Sequence, residues 1–240
     1  MCIISVNLTF VVHCIHDAGG MDMNFDFLGA YGSLYWQGIG VTLFLSFFAV
    51  LVGTLIGIFI AIGKLSNNIL IKGISSGYIE ILRGTPLLVQ VYIFVYGLPY
   101  LGIQMPDIAF CILALSINSS AYIAEIIRSG IQSVDKGQME AARTLGLNYW
   151  KAIGYIILPQ GIKNILPALG NEFITLIKES AIVSVVGIHD IMYGAETVRG
   201  ITFSPFAPLI VAAGIYFAIT FTLSKVVGRF ERSMRKNVTN

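Results

Sequence analysis

Long uncharged apolar runs alternate with short polar stretches along this chain of 240 residues. No charge falls between Asp26 and Lys64, and the stretch 36–62 is long enough to cross a bilayer with some tilt. The next uncharged run, 84–106, follows a helical lead-in carrying Lys72, Glu80 and Arg83, which predicts a second span over 73–100. Asp107 marks a turn before a third span, 107–127, closed by Glu125 and Arg128. A fourth span covers 162–188 and carries Glu172, Lys178 and Glu179. Asp190, Glu196 and Arg199 lie in the loop before a fifth, 204–226. The pattern predicts an all-α integral membrane protein with about five transmembrane helices. Gly53 and Gly57 form a G-x-x-x-G pair that admits a close helix neighbour.

Composition agrees: 56% of residues are hydrophobic and 12% charged, far from the charge content of soluble domains. The placement of Lys and Arg sets the orientation. With the N-terminus outside, Lys64, Lys72, Arg128, Lys136, Arg143, Lys151 and the basic tail (Lys225, Arg229, Arg232, Arg235, Lys236) face the cytoplasm, and the outer loops keep Arg199 alone. That orientation also makes the loop 128–161 cytoplasmic. Residues 1–23 read as a leader outside the single transmembrane domain 24–240. They lack the positive start of a signal peptide, are too short to span, and contain Met21 and Met23 as more natural starts.

The loop holds a polar, helix-forming island, D-K-G-Q-M-E-A-A-R-T-L-G-L-N-Y-W-K-A-I-G-Y-I-I-L-P-Q from Asp135 to Gln160. Asp135 can cap a helix, with Gln138 closing a capping box. Gly146 supplies a left-handed stop after about three turns, half of what a membrane span needs. Ala141 and Ala142 leave a small-residue patch suited to docking in a groove. Asn148 starts a second helix, punctuated by Pro159 and Pro167.

Glu140-Ala141-Ala142, Gly146 and Leu158-Pro159-Gln160 resemble the cytoplasmic "EAA" loop of bacterial ABC importer permeases. Glu80-x-x-Arg83-Gly84-Thr85-Pro86-Leu87-Leu88-Val89-Gln90, Ala121 to Arg128, Gly137-Gln138 and Lys178-Glu179-Ser180 resemble the polar amino-acid uptake branch, the histidine, glutamine and arginine type. The resemblance implies a type I ABC importer-like permease with a cytoplasmic coupling helix, in which Asp135, Gly137, Gln138, Glu140, Ala141, Ala142 and Gly146 couple to a separate ATPase. It further implies a second permease copy or homologue, two cytoplasmic ABC ATPases binding ATP and Mg, and an extracytoplasmic amino-acid-binding protein. The location would be the bacterial inner membrane. This chain would carry no cofactor and hydrolyse nothing.

Other polar positions leave two readings open. Glu80, Arg83, Thr85 and Pro86 form either an ion pair at i and i+3 before a proline break, or a gate. Glu125 and Arg128 repeat the motif and read first as structural. Glu172, Thr175 and Glu179 share one helical stripe, with Lys178 and Ser180 beside it. Carboxylates at that depth need a partner or a watery path, so the stripe either pairs with Lys178 or lines the substrate path. If Lys178 neutralises one glutamate, the other favours a basic amino acid. The alternative function is a secondary transporter driven by an ion gradient, which would use these groups as a relay and carry inverted repeats, and none is seen. No nucleophile–base pair or metal-ligand cluster supports catalysis. His13-Cys14-x-His16 is dismissed as a metal site, the three cysteines are scattered, and Gly57 to Lys64 misses phosphate-loop spacing. His189 reads as a surface residue.

Overall fold

The computed structural model describes residues 25–236, with side chains to 234, so the leader and its histidines and cysteines lie outside the described residues. Helix α1, Phe27–Leu65, runs for 39 residues through the first uncharged stretch. Asn68 then accepts hydrogen bonds from the backbone N–H groups of Leu70 and Ile71 and starts α2, Ile69–Gly84. Helix α3, Leu87–Tyr100, leaves α2 at an angle of 102°. Pro86 stands at that break, where it lacks the N–H that a continuous helix would use. The span expected over 73–100 is therefore two half-helices at an elbow.

Helix α4, Asp107–Gln132, is the most enclosed apolar helix, with 61% of its most apolar stretch buried. Asp107 is its first helical residue and not a turn residue, because Pro106 takes the cap position. The glycine pair of α1 lies along α4 as expected. A Cβ on Gly53 would stand 3.0 Å from the Ser116 carbonyl oxygen, and one on Gly57 would meet Ile123 at 2.9 Å. Only hydrogen at those positions lets the backbones approach this closely. Leu45, Ala49, Phe110, Ala114 and Leu115 fill the core above the seam.

Helix α5, Lys136–Thr144, is the short polar helix. Helix α6 then runs over 149–179, with a π-helical stretch at Ile153–Ile157, just before Pro159. That wider turn accommodates the proline and keeps the helix continuous, so Pro159 does not break it. Pro167 lies buried inside the same helix. A 3-10 stretch, Ser180–Val186, leads to α7, Ile191–Thr202, and α8, Ala207–Lys236, closes the chain.

By length and composition α1, α4 and α8 can each cross a membrane, and the elbow pair α2–α3 makes up to four spans. The expected fourth span, 162–188, falls on α6, which is long enough but carries Lys163, Glu172, Lys178 and Glu179 and so is not uniformly apolar. Apolarity around the whole circumference is required only where lipid is the neighbour, and α6 packs along α4 and α8. At the far end Asp190 is fully buried. It caps α7 through the Tyr193 N–H at 2.8 Å and accepts from the Tyr216 hydroxyl of α8 at 3.0 Å.

Candidate functional site

Two sites emerge, one outside the helical body and one within it. The outer one is α5. Asp135 caps it by accepting from the Gly137 N–H at 2.7 Å, while Gln138 contributes its own backbone N–H to the Asp135 carbonyl at 3.1 Å. The expected Asp135 cap is thus in place, without a return bond from the Gln138 side chain among the described residues. Gly146 sits at φ +84 and ends the helix, a conformation that costs any residue with a Cβ. Glu140, Ala141 and Gly137 are exposed, but Ala142 is 3% exposed. The expected patch of two outward alanines is corrected here. Neighbouring helical positions point about 100° apart, so when α5 rests on the π stretch of α6, Ala142 faces the body and Ala141 faces out.

The inner site is a belt of buried polar groups where α3, α4 and α6 meet. Gln90 on α3 is 5% exposed, and its amide nitrogen donates to the Leu82 carbonyl at 2.9 Å and the Thr85 hydroxyl at 2.8 Å. Thr85 in turn donates to the Ile81 carbonyl at 2.9 Å. One side chain therefore stitches the elbow shut by satisfying carbonyls that the proline break sets free. The Gln90 Oε1 accepts from the Asn118 amide of α4 at 3.1 Å. Next to it, Ser119 donates to the Glu172 carboxylate of α6 at 2.9 Å. Ser116, Asn118, Ser119 and Ser120 are all buried, a polar run inside an otherwise apolar helix. Asn118, Ser119 and the role of Gln90 were missed from sequence. The signal was present as S-I-N-S-S at 116–120, in the middle of an uncharged span.

The remaining candidates sort by position. Thr175 is half-buried, and Ser180 is buried with its hydroxyl turned back on the Ile177 carbonyl. Lys178 and Glu179 are exposed on the body, and among the described residues Lys178 forms no ion pair, so the expected Glu–Lys lock is absent. Lys178 points away from Glu172, which is six positions back and on another part of the helix face. The expected Glu80–Arg83 pair is also absent, because α2 packs on α4 so that the Arg83 guanidinium lies 5.1 Å from the centre of the Tyr122 ring. Glu125, by contrast, is held at 2.6 Å by Lys64 and at 2.7 Å by Arg128, in line with a structural reading. His189 is exposed and stacks on Tyr193. No group of metal-ligating side chains occurs among the described residues.

The sequence profile of the binding-protein-dependent transport system inner membrane component matches residues 53–236, covering both the elbow and α5. The chain belongs to this permease family. The arginine transport system permease protein ArtQ of Bacillus subtilis (strain 168) is 39% identical over 90% of this chain and 100% of its own length. A crystal structure of an amino acid ABC transporter with histidines superposes on this permease with a TM-score of 0.83. The two are 51% identical, covering 88% of this chain and 99% of the other. An inward-facing structure of the MetNI methionine ABC transporter matches at a TM-score of 0.72 over 84% of this permease and 96% of its own chain. At 18% identity that match speaks for the fold alone. The architecture is that of type I ABC importer permeases. The protein is accordingly a membrane-embedded transport subunit, and the gradient-driven alternative finds no support among these relatives.

Proposed function

We propose that this chain is the permease of an ATP-driven importer for polar amino acids, with a preference for basic ones. Two copies, or this chain and a homologue, would enclose the path. Two cytoplasmic ATPases would bind ATP and Mg and grip α5, and an extracytoplasmic binding protein would deliver the amino acid. The N-terminus lies outside and the C-terminus inside, with α6 as the fourth span and α8 as the fifth. ATP-driven approach of the ATPases moves the two α5 helices, and the contact of Ala142 with the π stretch of α6 passes that motion to the belt.

The preference for a basic substrate rests on one observation. Glu172 is a carboxylate within a span, bonded to a neutral serine, with no ion-pair partner among the described residues. A charge in that setting is costly unless a cation or water meets it. The ammonium and carboxylate of an amino acid cancel, so the side chain of arginine, lysine or histidinium supplies the match. Lys178 and Glu179, exposed on the same span, face the second permease or the watery path in this reading, since lipid would not accept them. Uptake by the reconstituted importer, competing arginine against glutamine, tests it. Glu172→Gln should lose arginine uptake far more than glutamine uptake. If Glu172→Gln and Glu179→Gln both keep the original preference, selection belongs to the binding protein.

A further inference from the structure

A cavity of about 430 Å³ opens between α2, α4 and the end of α1, at the end of the molecule that carries α5. Ile79 and Tyr122 form its apolar wall, and Lys64, Glu80, Arg83 and Glu125 bring two positive and two negative charges to it. Lys64 pairs with Glu125 at 2.6 Å, and Arg128 pairs with the same carboxylate at 2.7 Å from outside the lining. Glu80 and Arg83 do not: neither forms an ion pair among the described residues. Arg83 instead spreads its guanidinium over Tyr122, which fixes the group while leaving its N–H edges available.

The cavity thus holds one committed pair and two uncommitted charges of opposite sign. Glu80 and Arg83 stand at i and i+3 on one face of α2, with Cβ atoms about 5–6 Å apart. A simple anion would meet Arg83 but face Glu80, and a simple cation would meet the reverse. A molecule carrying an anionic group and an ammonium a few ångströms apart satisfies both. We propose that this cavity binds such a zwitterion, its anion on the Arg83 guanidinium and its ammonium on the Glu80 carboxylate. Two sources share that chemistry: a free α-amino acid leaving the path, and the headgroup of phosphatidylethanolamine at the membrane surface. The amino-acid source rests on the substrate class proposed above. The site itself does not depend on Glu172.

The test uses the full permease–ATPase complex without binding protein, in the Glu172→Gln background so that the belt contributes no charge-matched site. In the first arm the complex sits in phosphatidylglycerol nanodiscs, which offer no ammonium, and equilibrium dialysis measures bound radiolabelled arginine and glutamine. In the second arm the complex in detergent is given phosphatidylethanolamine, and native mass spectrometry counts retained lipid. Binding is expected in one arm, and that arm names the source. Arg83→Gln and Glu80→Gln should each weaken it by about tenfold or more, the loss of a charge-assisted hydrogen bond. Glu80 is exposed, so Glu80→Gln tests the ammonium contact without threatening the fold. Arg83→Lys keeps the charge but loses the planar fork and should fall between the other two proteins. Absence of binding in both arms would overturn the proposal, as would binding that neither neutral variant weakens. Loss of the arginine preference at Glu172 would leave this result unchanged, so the two readings fail separately.

Discussion

The belt and α5 are both polar, but they are held by opposite means. In α5 the interactions are local: Asp135 caps its own first turn, Gly146 ends the last, and most side chains meet solvent. In the belt the bonds that join the helices are long-range: Asn118 reaches Gln90 across 28 positions, and Ser119 reaches Glu172 across 53. A local device survives rearrangement of the rest of the body, as a docking lever must. A cross-helix device changes whenever helices slide, as the lining of a switching path must. Under the proposed function, the difference puts partner contact on self-sufficient structure and substrate contact on structure assembled from three helices.

Substitutions can break this contrast. The largest effect is expected from Asn118→Leu, which leaves the buried Gln90 oxygen without a donor at a cost of about 1–3 kcal/mol. The thermal midpoint of the purified complex should fall and transport with it, because the elbow loses its anchor. An unchanged midpoint would mean that the elbow does not depend on the belt. Next comes Gly146→Val, where a β-branched residue is forced to φ +84 in open space, a strain of about 1–2 kcal/mol confined to the loop. Membrane insertion should stay normal while ATP-driven transport drops, and a matching loss of inserted protein would show that the turn serves folding instead. Asp135→Ala removes a cap worth about 1 kcal/mol and should lower coupled ATPase activity several-fold, without altering the arginine-to-glutamine preference. A shifted preference would join the two regions that the structure separates. The smallest effect belongs to Glu140→Lys, a charge reversal on the exposed face of α5. It should slow ATPase association in a salt-dependent way and leave the complex intact once formed. A salt-independent loss of the complex would argue that α5 docks by burial and not by charge.

A different pair of regions shows how far composition alone reaches. Helices α4 and α8 are both apolar enough to cross a bilayer, yet 61% of the apolar stretch of α4 is buried and 6% of that of α8. Run length and hydropathy record that a segment leaves water, and lipid and protein interior are equally acceptable to Leu or Ile. The internal helix is marked instead by its small and polar residues, Ser116 to Ser120 with Ala114, Ala121 and Ala124, which lipid would not favour. That signal is legible at 116–120, inside a run whose lack of charge makes it look uniform.

Sequence by itself determined what depends on neighbours within a turn or two. The long uncharged helices, the cap at Asp135, the stop at Gly146 and the break at Pro86 all rest on short-range chemistry of this kind. The glycine seam at Gly53 and Gly57 was legible as a capacity for close packing, though not as a contact with α4 in particular. Tertiary structure decided which of two chemically reasonable partners each polar group took. Arg83 lies three positions from Glu80, but α4 brings the Tyr122 ring under it, and the ring holds it. Lys178 adjoins Glu179, but among the described residues it forms an ion pair with neither Glu179 nor Glu172, and Glu172 takes Ser119. Ala142 turned inward because the π stretch of α6 lies beneath α5. Each of these choices depends on the angle and depth at which a second helix arrives, and that is set by packing over the whole body, which no window of sequence contains.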